Sequence, residues 1–349
     1  GNSQEIEVSG NGCLGQGCSV SLYGASSGEI SDNTGAFSIF LADTASAMAA
    51  DNTLTSIYLD GANHLIAERN TMSDGVFVWG AGSTAAVRNS TIISDDPTYM
   101  GEEGHGIIAR AGTWVTAEDN ELINTDPSEY GTMKIQAEGD AVLIARRNRV
   151  VGAISAIDDV EATITDNVIT KVGLAVSATR TKEITGNTIG SRDSQSLTRH
   201  VTFYKAVPAA ALITNNCFRN LSLWVNVEGP RSAYLSLRGN YWGAASGPKT
   251  PANPGGTGVT LNGASYALWD PFDRTGAACR DEPPPPPVDV SELEVTTDPD
   301  RLVPNGTATA WISAYARGAG GGPTAGADVV FTAPFLMGHW ATVDRCTTG

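Results

Sequence analysis

Three short segments carry residue types that could perform acid–base hydrolysis of a glycosidic bond. They are Gly104-His105-Gly106, Asn124-Thr125-Asp126 and Asp158-Asp159. An inverting hydrolase needs two carboxyl groups about 6.5–9.5 Å apart, so these segments matter only if the fold brings them together. The four histidines share no spacing typical of a zinc site or a catalytic triad. They are His64, His105, His200 and His339.

Two acidic stretches, at 94–106 and 156–162, could supply oxygen ligands to Ca²⁺. Neither stretch has the fixed spacing of a calcium loop, and ordinary solvated loops would have the same composition. We therefore predict no cofactor and keep Ca²⁺ as an alternative.

Five cysteines give information about the cellular compartment of the protein. Cys13 and Cys18 lie in a glycine-rich loop, and a metal site would need a second pair at similar spacing, which the sequence lacks. We expect a disulfide between them, which implies an oxidising, extracytoplasmic setting. The sequence does not determine how Cys217, Cys279 and Cys346 pair.

Composition limits the fold and the partners. Among 349 residues there are 39 glycines and 17 prolines, the two poorest helix formers, which argues against a helical bundle. No apolar stretch approaches the roughly 20 residues of a membrane span. The net charge of −16 and the lack of a basic cluster larger than 146–149 argue against a nucleic-acid partner.

An internal repeat predicts the architecture. An asparagine with an apolar residue three positions before it recurs with a basic period of about 19 residues, and the longer intervals indicate inserted loops. These anchors are Asn33, Asn52, Asn70, Asn89, Asn120, Asn148, Asn167, Asn187, Asn216 and Asn240.

Apolar and polar positions alternate on both sides of each anchor, which is the period of a β-strand. A unit of this length holds three short strands and three turns, one coil of a parallel β-helix. Ten coils at about 4.8 Å each would rise about 48 Å. The asparagine suits a tight left-handed corner, and stacked amides can form a hydrogen-bonded ladder.

The residue before each anchor predicts a second ladder, made of ion pairs. If the coils are in register, oppositely charged residues of successive coils become neighbours. The predicted pairs are Asp51–Arg69, Arg88–Asp119, Asp119–Arg147 and Arg147–Asp166. Exposed pairs contribute only about 0–1 kcal/mol each, so we expect them to fix the register of the coils.

The end of the repeat resembles a known class. An Asn-Tyr-Trp-Gly turn at 240–243, Gly247-Pro248, Trp269 and Pro271 are similar to the terminal coil of secreted bacterial β-helix proteins of the pectin-lyase-like class. The resemblance covers about residues 30–275 and implies an all-β, right-handed parallel β-helix of about ten coils. We assign residues 1–28 to an N-terminal cap, 29–280 to the β-helix and 281–289 to a Pro-rich linker.

Residues 290–349 resemble bacterial Ig-like domains of the invasin/intimin group, on the segments 306–310 and 323–332. A complete sandwich needs about 100 residues and seven strands, and this segment has room for about four strands. We expect an incomplete Ig-like β-sandwich. It is either a fragment or is completed by a neighbouring subunit, which would make a polymer.

Solenoids of this class often degrade polysaccharides. The polygalacturonase-like family has motifs similar to the three catalytic segments above, but in another order and with an Arg-Ile-Lys element that this chain lacks. We therefore expect no enzyme and interpret the three segments as surface turns. The alternative is a polysaccharide lyase or hydrolase, or a carbohydrate-binding β-helix.

The long intervals 94–110 and 121–139 fall in consecutive coils and predict one contact face, because exposed aromatic and Met side chains mark interfaces. Its residues are Tyr99, Met100, Trp114, Tyr130 and Met133. The sequence thus predicts a secreted structural or adhesive protein of the bacterial cell surface. We expect it to be a homo-oligomer or filament, with a cell-surface polysaccharide as a further partner.

Overall fold

A computed structural model describes residues 5–94, 105–125, 133–190, 200–219, 224–230, 232–284, 292–298, 311–317, 328–334 and 340–347. The chain forms two compact units, residues 1–284 and 285–349. The division lies within the proline run for which the sequence predicts a linker.

Sheet I of the first unit is a parallel stack of ten short strands. Inward and outward residues alternate cleanly along them, so each strand has one core face and one outer face. The strands are Glu5–Ser9, Ser27–Ser31, Ser46–Ala50, His64–Glu68, Thr84–Arg88, Trp114–Glu118, Val142–Arg146, Glu161–Thr165, Glu183–Thr185 and Leu212–Thr214.

Sheet II runs beside it, also parallel, and its longest strands have eight to eleven residues, with register shifts at bulges. Its main path comprises Gly12–Leu22, Thr34–Asp43, Thr53–Gly61, Thr71–Val78, Thr91–Ser94, Glu121–Asn124, Arg149–Ala156, Val168–Val176, His200–Phe203, Trp224–Val227 and Thr260–Asn262. Four strands continue interrupted coils: His105–Ala109, Met133–Ala137, Thr188–Ile189 and Cys217–Phe218.

The chain alternates between the two sheets once per coil, and every coil pairs in parallel with the next. This is a parallel β-helix, as the repeat predicts. Its core is made of stacked inward columns of apolar side chains. One such column, fully or almost fully buried, is Ile30, Ala49, Ala67, Val87, Ala117, Ala145, Ile164, Ile184 and Ile213. Burying a side chain of the larger kind stabilises the fold by about 1.5–3 kcal/mol.

Two strands lie in the segment assigned to an N-terminal cap. Glu5–Ser9 and Gly12–Leu22 stack in parallel on the next coil and so continue both sheets. The assignment of this segment as a cap stays a prediction.

The C-terminal end of the first unit covers the last coil. Trp242 is fully buried and packs against Phe218 with ring centroids 5.1 Å apart. A short parallel pair, Leu235–Ser236 with Ala267–Leu268, and a 3₁₀ turn at Ala264–Tyr266 follow. Large aromatic side chains thus close the core where no further coil stacks on it.

The second unit contains two antiparallel strand pairs within its described residues. Glu292–Asp298 pairs with Trp311–Arg317, and Asp328–Pro334 pairs with Trp340–Thr347. Antiparallel pairing is compatible with a sandwich of the predicted kind.

Candidate functional site

The corner after sheet I holds a continuous column of buried amides. At most steps an asparagine accepts, at its Oδ1, hydrogen bonds from both the backbone N–H and the Nδ2 of the asparagine one coil earlier. For Asn148 and Asn167 both distances are 2.9 Å. The same bonding joins Asn11 to Asn33, Asn33 to Asn52, Asn52 to Asn70, Asn120 to Asn148, Asn167 to Asn187, Asn187 to Asn216, and Asn216 to Asn240.

The amide nitrogens also bond the backbone of the coil before. Nδ2 of Asn167, for example, donates to the carbonyl oxygen of Ala145 at 2.9 Å. The residue before each asparagine takes a left-handed conformation, with φ of 58° at Asp166 and 52° at Arg147. An Asn side chain can therefore satisfy the buried polar groups of this tight corner, whereas a carboxylate or an apolar side chain cannot.

The prediction for Asn89 is wrong by one position. Asn89 itself takes the left-handed conformation, with φ of 49°, and is not part of the ladder. Ser90 occupies the ladder position: its hydroxyl oxygen accepts from Asn70 N–H at 3.2 Å, and its N–H donates to Asn120 at 3.0 Å. A small hydroxyl side chain can replace an amide there because one oxygen acceptor keeps the column continuous.

Two of the four predicted ion pairs are present. Arg69 forms two bonds to Asp51, at 2.8 and 2.7 Å, and Arg147 forms two to Asp119, both at 2.8 Å. These bonds lower the pKa of Asp51 and raise that of Arg147.

The other two predicted pairs are wrong. Because the register shifts at Asn89, Arg88 belongs to the neighbouring column and contacts Glu118 at 3.6 Å in place of Asp119. Asp166 pairs with Arg280 at 3.4 Å in place of Arg147. Burial raises the pKa of Asp166, and both arginines oppose that effect.

The corner of one coil is acidic and that of the next is basic. Arg146, Arg147 and Arg149 lie over Glu118, Asp119 and Glu121, at 3.8, 2.8 and 2.6 Å respectively. The segment that joins these two coils carries an insert, and its length could permit one coil to slip against the other. Three matched pairs in neighbouring columns fix its register.

Two disulfides lie within the described residues. Cys13–Cys18 confirms the prediction, and Cys217–Cys279, which the sequence leaves open, joins residues 62 apart. The second bond holds the segment 271–281 back along the corner, where Arg280 N–H donates to the Thr188 hydroxyl at 2.9 Å and Arg219 pairs with Asp281 at 2.7 Å. A groove of about 640 Å³ lies beneath this segment.

One residue of the predicted contact face is not at the surface. Met133 is buried in the core, because Met133, Ile135 and Ala137 are the inward residues of their strand. Tyr99, Met100 and Tyr130 lie outside the described residues. Trp114, with half of its surface exposed, lies on the outer face of sheet I.

Sequence reasoning missed a polar cluster on the outer side of sheet II. His105 Nδ1 lies 2.7 Å from Asp74 Oδ1, and the hydroxyl of Tyr58 donates to the other carboxylate oxygen at 3.4 Å. Lys134 lies one coil further on, where burial lowers its pKa against the opposing Glu138. Aligning Asp74-Gly75 with His105-Gly106, which pair in register, could have found the cluster.

The described residues of two segments considered for hydrolysis lie at different places in the coil. Asn124 pairs with Ser94 in sheet II, whereas Asp158 takes a left-handed conformation at the opposite corner, before sheet I. Gly104 and Asp126 lie outside the described residues. Among the residues that the structure does describe, no group of three or more His, Cys, Asp or Glu side chains could hold a metal ion.

The fold and corner define a parallel β-solenoid. Compared with known proteins, the chain matches no family model, no curated protein and no solved structure. No helix within the described ranges is long and apolar enough to cross a membrane.

Proposed function

We propose that this protein is a structural or adhesive rod on the outside of a bacterial cell, and that stiffness and a repetitive surface are its function. The observation that carries the proposal is the buried amide ladder, which runs from Asn33 to Asn240 with Ser90 as its single substitution. The column joins successive coils along the axis, which suits a stiff rod.

Three features of the corner support stiffness. Every coil forms backbone hydrogen bonds to both neighbours, the amides add bonds along the axis, and the ion pairs oppose slippage. Bending or shearing the column would break several bonds at once, and each buried polar group left unpaired costs about 1–3 kcal/mol.

The two disulfides support the extracellular setting, because such bonds form and persist in oxidising compartments. In this proposal the proline run after the first unit is an extended tether. The partners are further copies of the chain and a cell-surface polysaccharide.

Electron microscopy of the purified full chain, together with an activity assay, tests the proposal. We expect particles with a rod about 50 Å long and no release of reducing or unsaturated sugars from acidic polysaccharides. Turnover of any such polysaccharide would overturn the non-enzymatic role.

One observation favours a second candidate, a polysaccharide-active β-helix. His105 bonded to Asp74, with Lys134 of lowered pKa on the next coil, combines groups that can move protons. If this candidate is right, turnover would be lost in both His105→Ala and Lys134→Ala and retained in Tyr23→Ala, whose exposed side chain lies elsewhere.

A further inference from the structure

The outer face of sheet I has a largely apolar central column, with two threonines among its six residues, across six consecutive strands from Ser46–Ala50 to Glu161–Thr165. Exposed β-sheet faces usually carry polar side chains, so this column is unusual for a surface. Its outward residues are Met48, Ile66, Ala86, Thr116, Ile144 and Thr163.

Trp114 stands beside this column, near its middle. It lies between Thr84 and Val142 in the next outward column, and 50% of its surface is exposed. Tryptophan is the residue type most enriched at the energetic centres of protein interfaces. An exposed tryptophan beside a largely apolar strip therefore marks a contact surface.

The third outward column, at the other edge of the strip, alternates in charge. Successive coils carry Glu68, Arg88, Glu118 and Arg146, with neighbours 4.0, 3.6 and 3.8 Å apart. A two-fold axis along the strand direction, passing between Arg88 and Glu118, reverses the order of the coils. It therefore brings each charge of this column opposite its counterion in a second copy.

We propose that the outer face of sheet I binds a second copy of this chain, face to face, with the two solenoids antiparallel. Glu68 then faces Arg146 of the second copy, and Arg88 faces its Glu118. Trp114 packs against Thr84 of the second copy, whose small side chain leaves room for the indole. The interface is isologous, as in most homodimers.

The area of the outer face of sheet I is sufficient for a specific interface. Six strands of five residues form a face of about 17 Å by about 29 Å, which is on the order of 500 Å² per copy. Two copies together bury about 1,000 Å², the lower bound for a specific interface. This pairing rests on the proposed structural role, and names the surface through which copies associate.

Sedimentation of the full chain tests the interface. We expect a two-chain mass for the wild type at micromolar concentration. In Trp114→Glu we expect a dissociation constant at least tenfold higher. Tyr23→Glu changes an aromatic residue that is 64% exposed but lies outside sheet I, and should pair like the wild type. A single-chain wild type, or a Trp114→Glu variant that pairs normally, would overturn the proposal.

Charge reversal tests the antiparallel register. Arg88→Glu alone sets Glu against Glu across the axis, and Glu118→Arg alone sets Arg against Arg, so each variant should be monomeric. An equimolar mixture restores both cross-axis pairs and should recover the two-chain mass. Circular dichroism checks that each variant is folded. Failure of the mixture to associate would overturn this register, whereas the rod proposal is tested separately by microscopy and turnover.

Discussion

The guanidinium of Arg147 lies over the carboxylate of Asp119 in the coil before, with Nε–Oδ1 and Nη2–Oδ2 distances both of 2.8 Å. Only 15% of each side chain is exposed. Arg69 and Asp51 form the same two-bonded pair, but with 51% and 43% of the side chains exposed. The two pairs share one geometry and differ in solvent screening.

We therefore expect unequal coupling energies in double-mutant cycles made with alanine. The Asp119–Arg147 coupling should be about 1 kcal/mol and should persist in about 0.5 M salt, which screens charges more strongly than physiological salt does. The coupling of Asp51 with Arg69 should be smaller and should vanish in that salt, because water already screens the pair. Urea unfolding measures both. Equal couplings would contradict the role assigned to burial.

Removing one amide from the ladder should destabilise the protein strongly. In Asn148→Ala, the N–H and Nδ2 groups of Asn120 lose their acceptor, and the carbonyl of Ala117 loses a donor. We expect a loss of roughly 2–4 kcal/mol in the free energy of unfolding, from about 1–3 kcal/mol per buried unpaired group.

Asn89→Gly is the matched control, since Asn89 lies outside the ladder and glycine accepts its left-handed backbone. This variant should lose less than about 1 kcal/mol. A loss in Asn148→Ala no larger than in this control would mean that the ladder contributes little to stability.

Ser90→Asn should stabilise the protein. The serine hydroxyl accepts from the backbone N–H of Asn70, whereas the other ladder positions accept from both the N–H and Nδ2 of the preceding asparagine. An amide at position 90 supplies an acceptor within reach of both groups, and one added hydrogen bond contributes about 1 kcal/mol. The thermal midpoint measures the change, and a lower midpoint would show that the corner has no room for the larger side chain.

The two disulfides should differ in their contributions. Replacing Cys217 and Cys279 by serine opens a loop of 62 residues, and the loop-entropy relation gives about 4 kcal/mol. Replacing Cys13 and Cys18 opens a loop with a separation of 5, for which the same relation gives about 2 kcal/mol. Unfolding of the two double variants under identical conditions compares them. An equal loss would show that closing the long loop does not dominate.

Much of the fold could be predicted from the sequence because one coil repeats. Every corner needs a side chain that satisfies buried backbone groups, so asparagine returns once per coil and sets the period. The same dependence on one residue type explains the error at Asn89. Ser90 provides the acceptor oxygen of this coil with its hydroxyl. The buried Val87, three positions before Ser90, shows the register of the repeat.

Contacts made across inserts could not be predicted. Asp74 and His105 are one coil apart in space but 31 positions apart in sequence, and the insert hides their alignment. Met133 was expected at the surface because it follows an insert, yet the alternation from Met133 to Ala137 places it inward. The partner of Cys217 depends on a segment that returns along the corner, which no local pattern reveals.

One distance tests the central claim that each repeat is one stacked coil. Glu29 and Leu212 are exposed residues of the same outward column of sheet I, separated by eight coil steps. Spin labels at these two positions, in protein diluted with unlabelled chain, should give a narrow distribution of electron–electron distances centred near about 38 Å, from about 4.8 Å per step. A centre below about 25 Å, or a distribution tens of ångströms wide, would contradict a continuous stack at the spacing of paired strands.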